Sequence, residues 1–98
     1  MQFSVKVSNY QKNSTLNICD AELLGKKIIQ DELNMHISES YYGQKLVEKE
    51  EAKSLLKNSL IINMVGKEIV SLSIELGIGS ETGIKTISGV PFLIVFKI

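Results

Sequence analysis

The chain has no arginine and only one cysteine, one histidine and one proline, and most of these shortages narrow what it can do. Without arginine, the guanidinium forks that clamp phosphates, read guanine and stack on bases are missing, which argues against sequence-specific nucleic-acid reading. All 11 basic residues are lysines, a bias that also fits genome base composition or growth at high temperature. A lone Cys19 permits neither an internal disulfide nor a multi-cysteine zinc site and suits a reducing compartment. Net charge is absent too: 11 basic residues balance 11 acidic ones, so binding to nucleic acid or an anionic membrane would need a local patch. The longest apolar stretch is interrupted by Asn63, Lys67, Glu68 and Glu75, well short of the roughly eighteen residues that cross a bilayer. Met1 to Ser8 lacks the basic start and apolar block of a signal peptide. A cytoplasmic protein without membrane contact is expected.

What is present reads as one domain over residues 1–98. A hydrophobic share of 44% with 22% charged residues is ordinary for a globular chain and far from the composition of disordered ones. Phe3, Val5 and Val7 alternate with Ser4, Lys6 and Ser8, and Leu16 and Ile18 resume the alternation after polar residues 9–13, so a β-hairpin is predicted. Asp20 is placed as a helix N-cap ahead of a single turn ended by Gly25. Leu33, Met35 and Ile37 alternate with Asn34, His36 and Ser38 as a third strand, and 40–44 reads as a loop. Glu48, Glu50 and Glu51 gather at the start of a helix running to about Asn58, with Ala52, Leu55, Leu56 and Leu60 on one face.

Ile61, Met64, Val65, Ile69, Leu72 and Leu76 then recur at helical spacing, so a long central helix is predicted from about Ser59 to Leu76, closed by Gly77 and Gly79. Gly89-Val90-Pro91 reads as a turn before a final strand, 92–98, that is apolar on both faces. The expected fold is α+β in two layers, with helices on one face of a four- to five-stranded mixed sheet in the order β-β-α-β-α-α-β-β. Ser4, Lys6, Ser8, Thr15, Asn17, Asn34, His36 and Ser38 would share the other, polar face, which is either a binding surface or the ordinary solvent side of a two-layer fold.

Few residues point to chemistry. His36 could serve a catalytic site only if folding brought Cys19, a serine or a carboxylate next to it, and Cys19, which precedes Asp20 at a strand-to-helix junction, could have a lowered pKa. The spacing of His, Cys and carboxylates matches no metal site. Gly77, Gly79 and Gly83 do not form a phosphate-binding loop, because they follow a helix and lack the Gly-Lys-Ser/Thr ending. Lys49, Lys53 and Lys57 form one stripe of a helix, either a phosphate-facing ridge or a solvated charged face. The stretch Ser40-Tyr41-Tyr42-Gly43 offers two adjacent tyrosines, either for stacking and partner contact or with one of them packed under the helices.

Four stretches together carry a resemblance: Cys19-Asp20-x-Glu22-Leu23-Leu24-Gly25-Lys26, Glu39-Ser40-Tyr41-Tyr42-Gly43, Asn63-Met64-Val65-Gly66 and Gly89-Val90-Pro91. In this order and spacing the sequence resembles the archaeal family catalogued as domain of unknown function 424, over nearly the whole chain. It departs at Phe92, where the family commonly has histidine. The resemblance implies an archaeal cytoplasmic protein linked to translation or RNA, and it brings no catalytic residues. The expected function is a non-enzymatic module, without cofactor or metal, that binds RNA or the translation initiation machinery, such as initiation factor 2 or the small ribosomal subunit. Its expected binding residues are Ser40, Tyr41, Tyr42, Gly43, Asn63, Lys67, Lys49, Lys53 and Lys57. The alternatives are a small enzyme or ligand-binding protein with a site near Cys19, Asp20 and His36, and a structural subunit of an assembly.

Overall fold

Alternation at the N-terminus makes the hairpin expected from it. In the computed structural model, which describes residues 1–10 and 13–97, β1 (Gln2–Tyr10) pairs antiparallel with β2 (Asn13–Asp20), setting Val5 against Ile18 and Val7 against Leu16. The strands run further into the polar segment than expected, and Gln11 and Lys12 of the predicted turn lie outside the described residues. A short 3-10 turn (Ala21–Leu23) follows, then β3 (Lys27–Gln30) and β4 (Leu33–His36), which pair only with each other. Thus the predicted third strand does not join the main sheet, and Asn34, His36 and Ser38 are not part of its polar face. The remaining elements are α1 (Glu39–Tyr42), β5 (Lys45–Glu48), α2 (Lys49–Asn58), β6 (Ile61–Val65), α3 (Lys67–Glu75), β7 (Lys85–Ile87) and β8 (Val90–Phe96).

The fold is α+β with a mixed sheet, but the sheet has six strands, in the order β5-β1-β2-β6-β8-β7, not four or five. Among the described residues, only β2 and β6 are parallel neighbours. The predicted helix from Ser59 to Leu76 is two elements. Ile61–Val65 is a strand, in which Ile62 and Met64 alternate with Asn63 as well as Ile61, Met64 and Val65 fit a helical stripe. Gly66 then turns the chain with φ +122 and ψ 153, backbone that is essentially restricted to glycine, and α3 begins at Lys67. Gly66 is therefore not a helix-interior residue. At the other end, Gly77 takes φ +74 and Ile78 and Gly79 donate to the Ser73 carbonyl, the closure the sequence predicts. The turn before the last strand lies at Ser88 and Gly89, both at positive φ, the pair of conformations that suits a two-residue hairpin; Val90 and Pro91 already belong to β8.

Helices α2 and α3 cover one face of the sheet. Phe3, Val5, Leu16, Ile18, Val47, Ile62, Met64 and Leu93 from the strands pack there with Ala52, Leu56, Ile69, Val70 and Leu72 from the helices. A smaller cluster on the second face joins Cys19, Val65 and Ile87 to Ile28 and Ile37 around the β3–β4 hairpin. The expectation of helices on one face only is corrected by α1, which lies on this second face. No helix among the described residues is long and apolar enough to cross a membrane.

Candidate binding face

The second sheet face divides into a sealed half and a bare half, and the register shows how. One row across the sheet runs Lys6, Asn17, Asn63, Ile94; the row beside it runs Ser4, Cys19, Val65, Phe92; a third runs Ser8, Thr15, Ile61, Phe96. Over the β1 and β2 members of the first two rows lies α1, a helix of one turn that would not form in isolation because nucleation is unfavourable. The sheet supplies what it lacks. Lys6 Nζ donates to the Ser40 carbonyl at 2.7 Å, Asn17 Nδ2 to the Tyr41 carbonyl at 3.1 Å, and Ser4 Oγ to the Tyr42 carbonyl at 2.6 Å. Ser38 Oγ caps the other end by accepting from Tyr41 N–H. Three of the polar residues expected to face solvent thus satisfy the orphan carbonyls of a helix end.

Segment 40–44 is therefore helix, not loop, as far as Tyr42, and Gly43 closes it: a Cβ there would fall 2.7 Å from the Glu39 carbonyl oxygen. The two tyrosines part company. Tyr42 is half-buried against the Cys19 cluster, and burial pushes its hydroxyl pKa up. Tyr41 stays 65% exposed. Asn63 donates to Asn17 Oδ1 at 2.7 Å, which extends the polar row and places Asn63 at the border of the bare half. Beyond that border Ile94 and Phe96 are 60% and 65% exposed, so the last strand, expected to be covered on both faces, is covered on one.

Other residues singled out in the sequence lie elsewhere. Lys49 and Lys57 are exposed and Lys53 approaches Glu50 at 3.7 Å on α2, in the layer opposite α1. Lys67 opens α3 in that same layer, so it does not accompany Asn63. His36 is exposed on β4, while Cys19 is fully buried, and no hydrogen bond joins them among the described residues. Burial, helped by the neighbouring Asp20 carboxylate, pushes the Cys19 thiol up to about 12, so it stays protonated. The folded protein is expected to resist an aromatic disulfide reagent at pH 8 and to react fully in urea; rapid labelling without denaturant would contradict this burial.

Asp20 is 3% exposed and caps a helix, though not the turn that follows it. Its carboxylate accepts from Glu68 N–H at 3.0 Å and Ile69 N–H at 2.9 Å, at the start of α3. Gly66 lies directly beneath, since a Cβ there would fall 2.9 Å from Asp20 Cβ and closer still to its carboxyl, and Gly66 N–H donates to the Pro91 carbonyl at 2.9 Å.

A family model described as protein of unknown function (DUF424) matches residues 8–98. The chain belongs to this family. A crystal structure of an uncharacterized conserved protein from Methanopyrus kandleri has the same fold, with a TM-score of 0.76 at 22% identity over 100% of this chain and 95% of that one. No curated protein matches. The four stretches that carry the resemblance occupy two places. Cys19-Asp20, Asn63 to Gly66 and Gly89 to Pro91 meet where β2 and β6 end and β8 begins beside α3, and Glu39 to Gly43 forms α1 and its closing glycine above the adjoining row. Both places have a structural account in capping and close approach. Sequence reasoning missed Ser4, Lys6 and Asn17 as supports of α1 and missed the exposure of Ile94 and Phe96. The signal available for the latter was Phe92, Ile94 and Phe96 at period two on a strand with too few elements to cover both faces.

Proposed function

We propose that the chain is a non-enzymatic binding module whose partner is a protein, docked on the bare half of the second sheet face. The observation that carries this is Ile94 and Phe96 side by side on β8, more than half exposed, with Tyr41 at a similar exposure on the helix over the same face. Contiguous exposed apolar area bordered by polar groups marks an interaction surface more often than a scatter of single residues does. Charge narrows the partner. Second-face positions on β2, β6, β7 and β8 include Lys85 and no carboxylate, which suits an apolar surface rimmed by acidic residues. RNA suits it less: isoleucine offers no stacking platform, Lys6 is already bonded to Ser40, and the α2 lysines lie on the opposite layer. The translation machinery implied by the family resemblance is the first place to look for the partner.

Phe96→Lys and Ile94→Lys are expected to weaken binding to initiation factor 2 or the small ribosomal subunit about 30-fold or more, the loss typical of a hot-spot residue. Their unfolding free energies should stay within about 0.5 kcal/mol, as for surface changes. Charge reversal of Lys49, Lys53 and Lys57 together should leave binding unchanged. Loss of binding with that triple variant but not with Phe96→Lys would make RNA or a partner on α2 the correct reading.

A further inference from the structure

Next to the bare half, toward the start of β8, the second face holds a cleft of about 350 Å³ whose lining includes Met35, Tyr42, Asn63, Lys85, Phe92 and Ile94. This volume is at the small end of those that hold small molecules, and its make-up follows the same pattern, mostly apolar walls with a few polar groups to orient a ligand. The walls are preformed, because β6, β8 and β7 are hydrogen-bonded neighbours and the β3–β4 hairpin contributes Met35. The polar groups have unused capacity. Tyr42 hydroxyl makes no hydrogen bond among the described residues, Asn63 uses one amide N–H on Asn17 and keeps its carbonyl, and Lys85, across from Phe92 on β7, has no carboxylate within salt-bridge distance among the described residues. No carboxylate lines the cleft.

We propose that this cleft binds a small molecule made of a flat heteroaromatic ring system bearing one anionic group, with the ring face against Phe92, Met35 and Ile94 and the anion on Lys85. Asn63 and Tyr42 then meet the polar edge of the ring. An ammonium that has no partner of its own gains a charge-assisted bond to the anion, a bond that the neutral counterpart lacks. Two sources share this chemistry, a 5′-mononucleotide and an aromatic carboxylate. The cleft adjoins the docking surface and shares Ile94 and Lys85 with it, but it centres on Phe92, whereas docking centres on Phe96.

The full-length protein, labelled for NMR, is titrated with adenosine 5′-monophosphate and indole-3-acetate, and with adenosine and indole as their neutral counterparts. The expected result is that at least one anionic probe shifts the Asn63 side-chain amide and the Met35 and Ile94 methyl signals with an affinity about tenfold above its neutral counterpart. Lys85→Ala should abolish that preference and Lys85→Arg should retain it, while Phe96→Lys leaves it intact. The anionic probe that binds identifies the source. Absence of cleft shifts with every probe at millimolar concentration, or a preference that survives Lys85→Ala, overturns the proposal.

Discussion

Gly66→Ala is expected to destabilise the protein by about 3 kcal/mol or more, lowering the melting temperature by more than about 10 °C. Two costs combine. The backbone at φ +122 and ψ 153 lies where a Cβ is strained by roughly 1–3 kcal/mol, and the added methyl overlaps the Asp20 carboxyl. Asp20 cannot simply move away, because its two oxygens hold Glu68 and Ile69 N–H. Urea unfolding measures the loss. Asp20→Gly combined with Gly66→Ala should cost less than the sum of the single changes, since the overlap is shared between them. A cost below about 1 kcal/mol for Gly66→Ala would show that residue 66 continues a helix, the reading that its sequence neighbours suggest.

Asp20→Ala follows, at about 2 kcal/mol. A lost N-cap costs about 0.5–2 kcal/mol and each orphaned buried donor roughly 1–3, but the loss is limited because burial of the charge itself is unfavourable. Burial raises the Asp20 carboxyl above the ordinary 3.8 despite the two backbone bonds that pull it down. A folded-state pKa above the unfolded one means that this group's stabilising contribution is complete below the unfolded value and is lost as pH rises through the folded value. The stability of the natural protein relative to Asp20→Asn, which keeps the shape without the titration, is therefore expected to be greater near pH 3 than near pH 7. Paired urea curves at the two pH values check this; a relative stability that grows toward pH 7 would mean that the helix N–H groups outweigh desolvation.

These two residues also show where the sequence was legible. The β1–β2 hairpin and the apolar faces of α2 and α3 could be read because each keeps one period over enough residues. Ile61 to Val65 could not, since five residues satisfy both periods and the helical stripe of α3 continues backward through them. Gly66 was the only sign of a boundary, and its conformation becomes informative only with Asp20 above it. Lys27 to Gln30 buries Ile28 alone and so offers no alternation to read. The candidate site was legible in part. Tyr41 and Asn63 do border the bare face, whereas Lys67 was assigned to it through a helix that does not exist, and the lysines of α2, a helix that was read correctly, lie in the opposite layer. The role of α1 was out of reach, because a four-residue helix depends on Ser4, Lys6 and Asn17, donors far away in the sequence.

The claim that the bare half of the second face docks a protein can be tested at Phe96 itself. A photo-crosslinking amino acid is placed at position 96 in the full-length chain and, separately, at position 57 on α2, and adducts formed in cells of the source organism are identified by mass spectrometry. A discrete adduct with one other protein is expected from position 96, absent from position 57 and lost when Ile94→Lys is added. Adducts with RNA, with a second copy of this chain, from position 57 alone, or from neither position would contradict it.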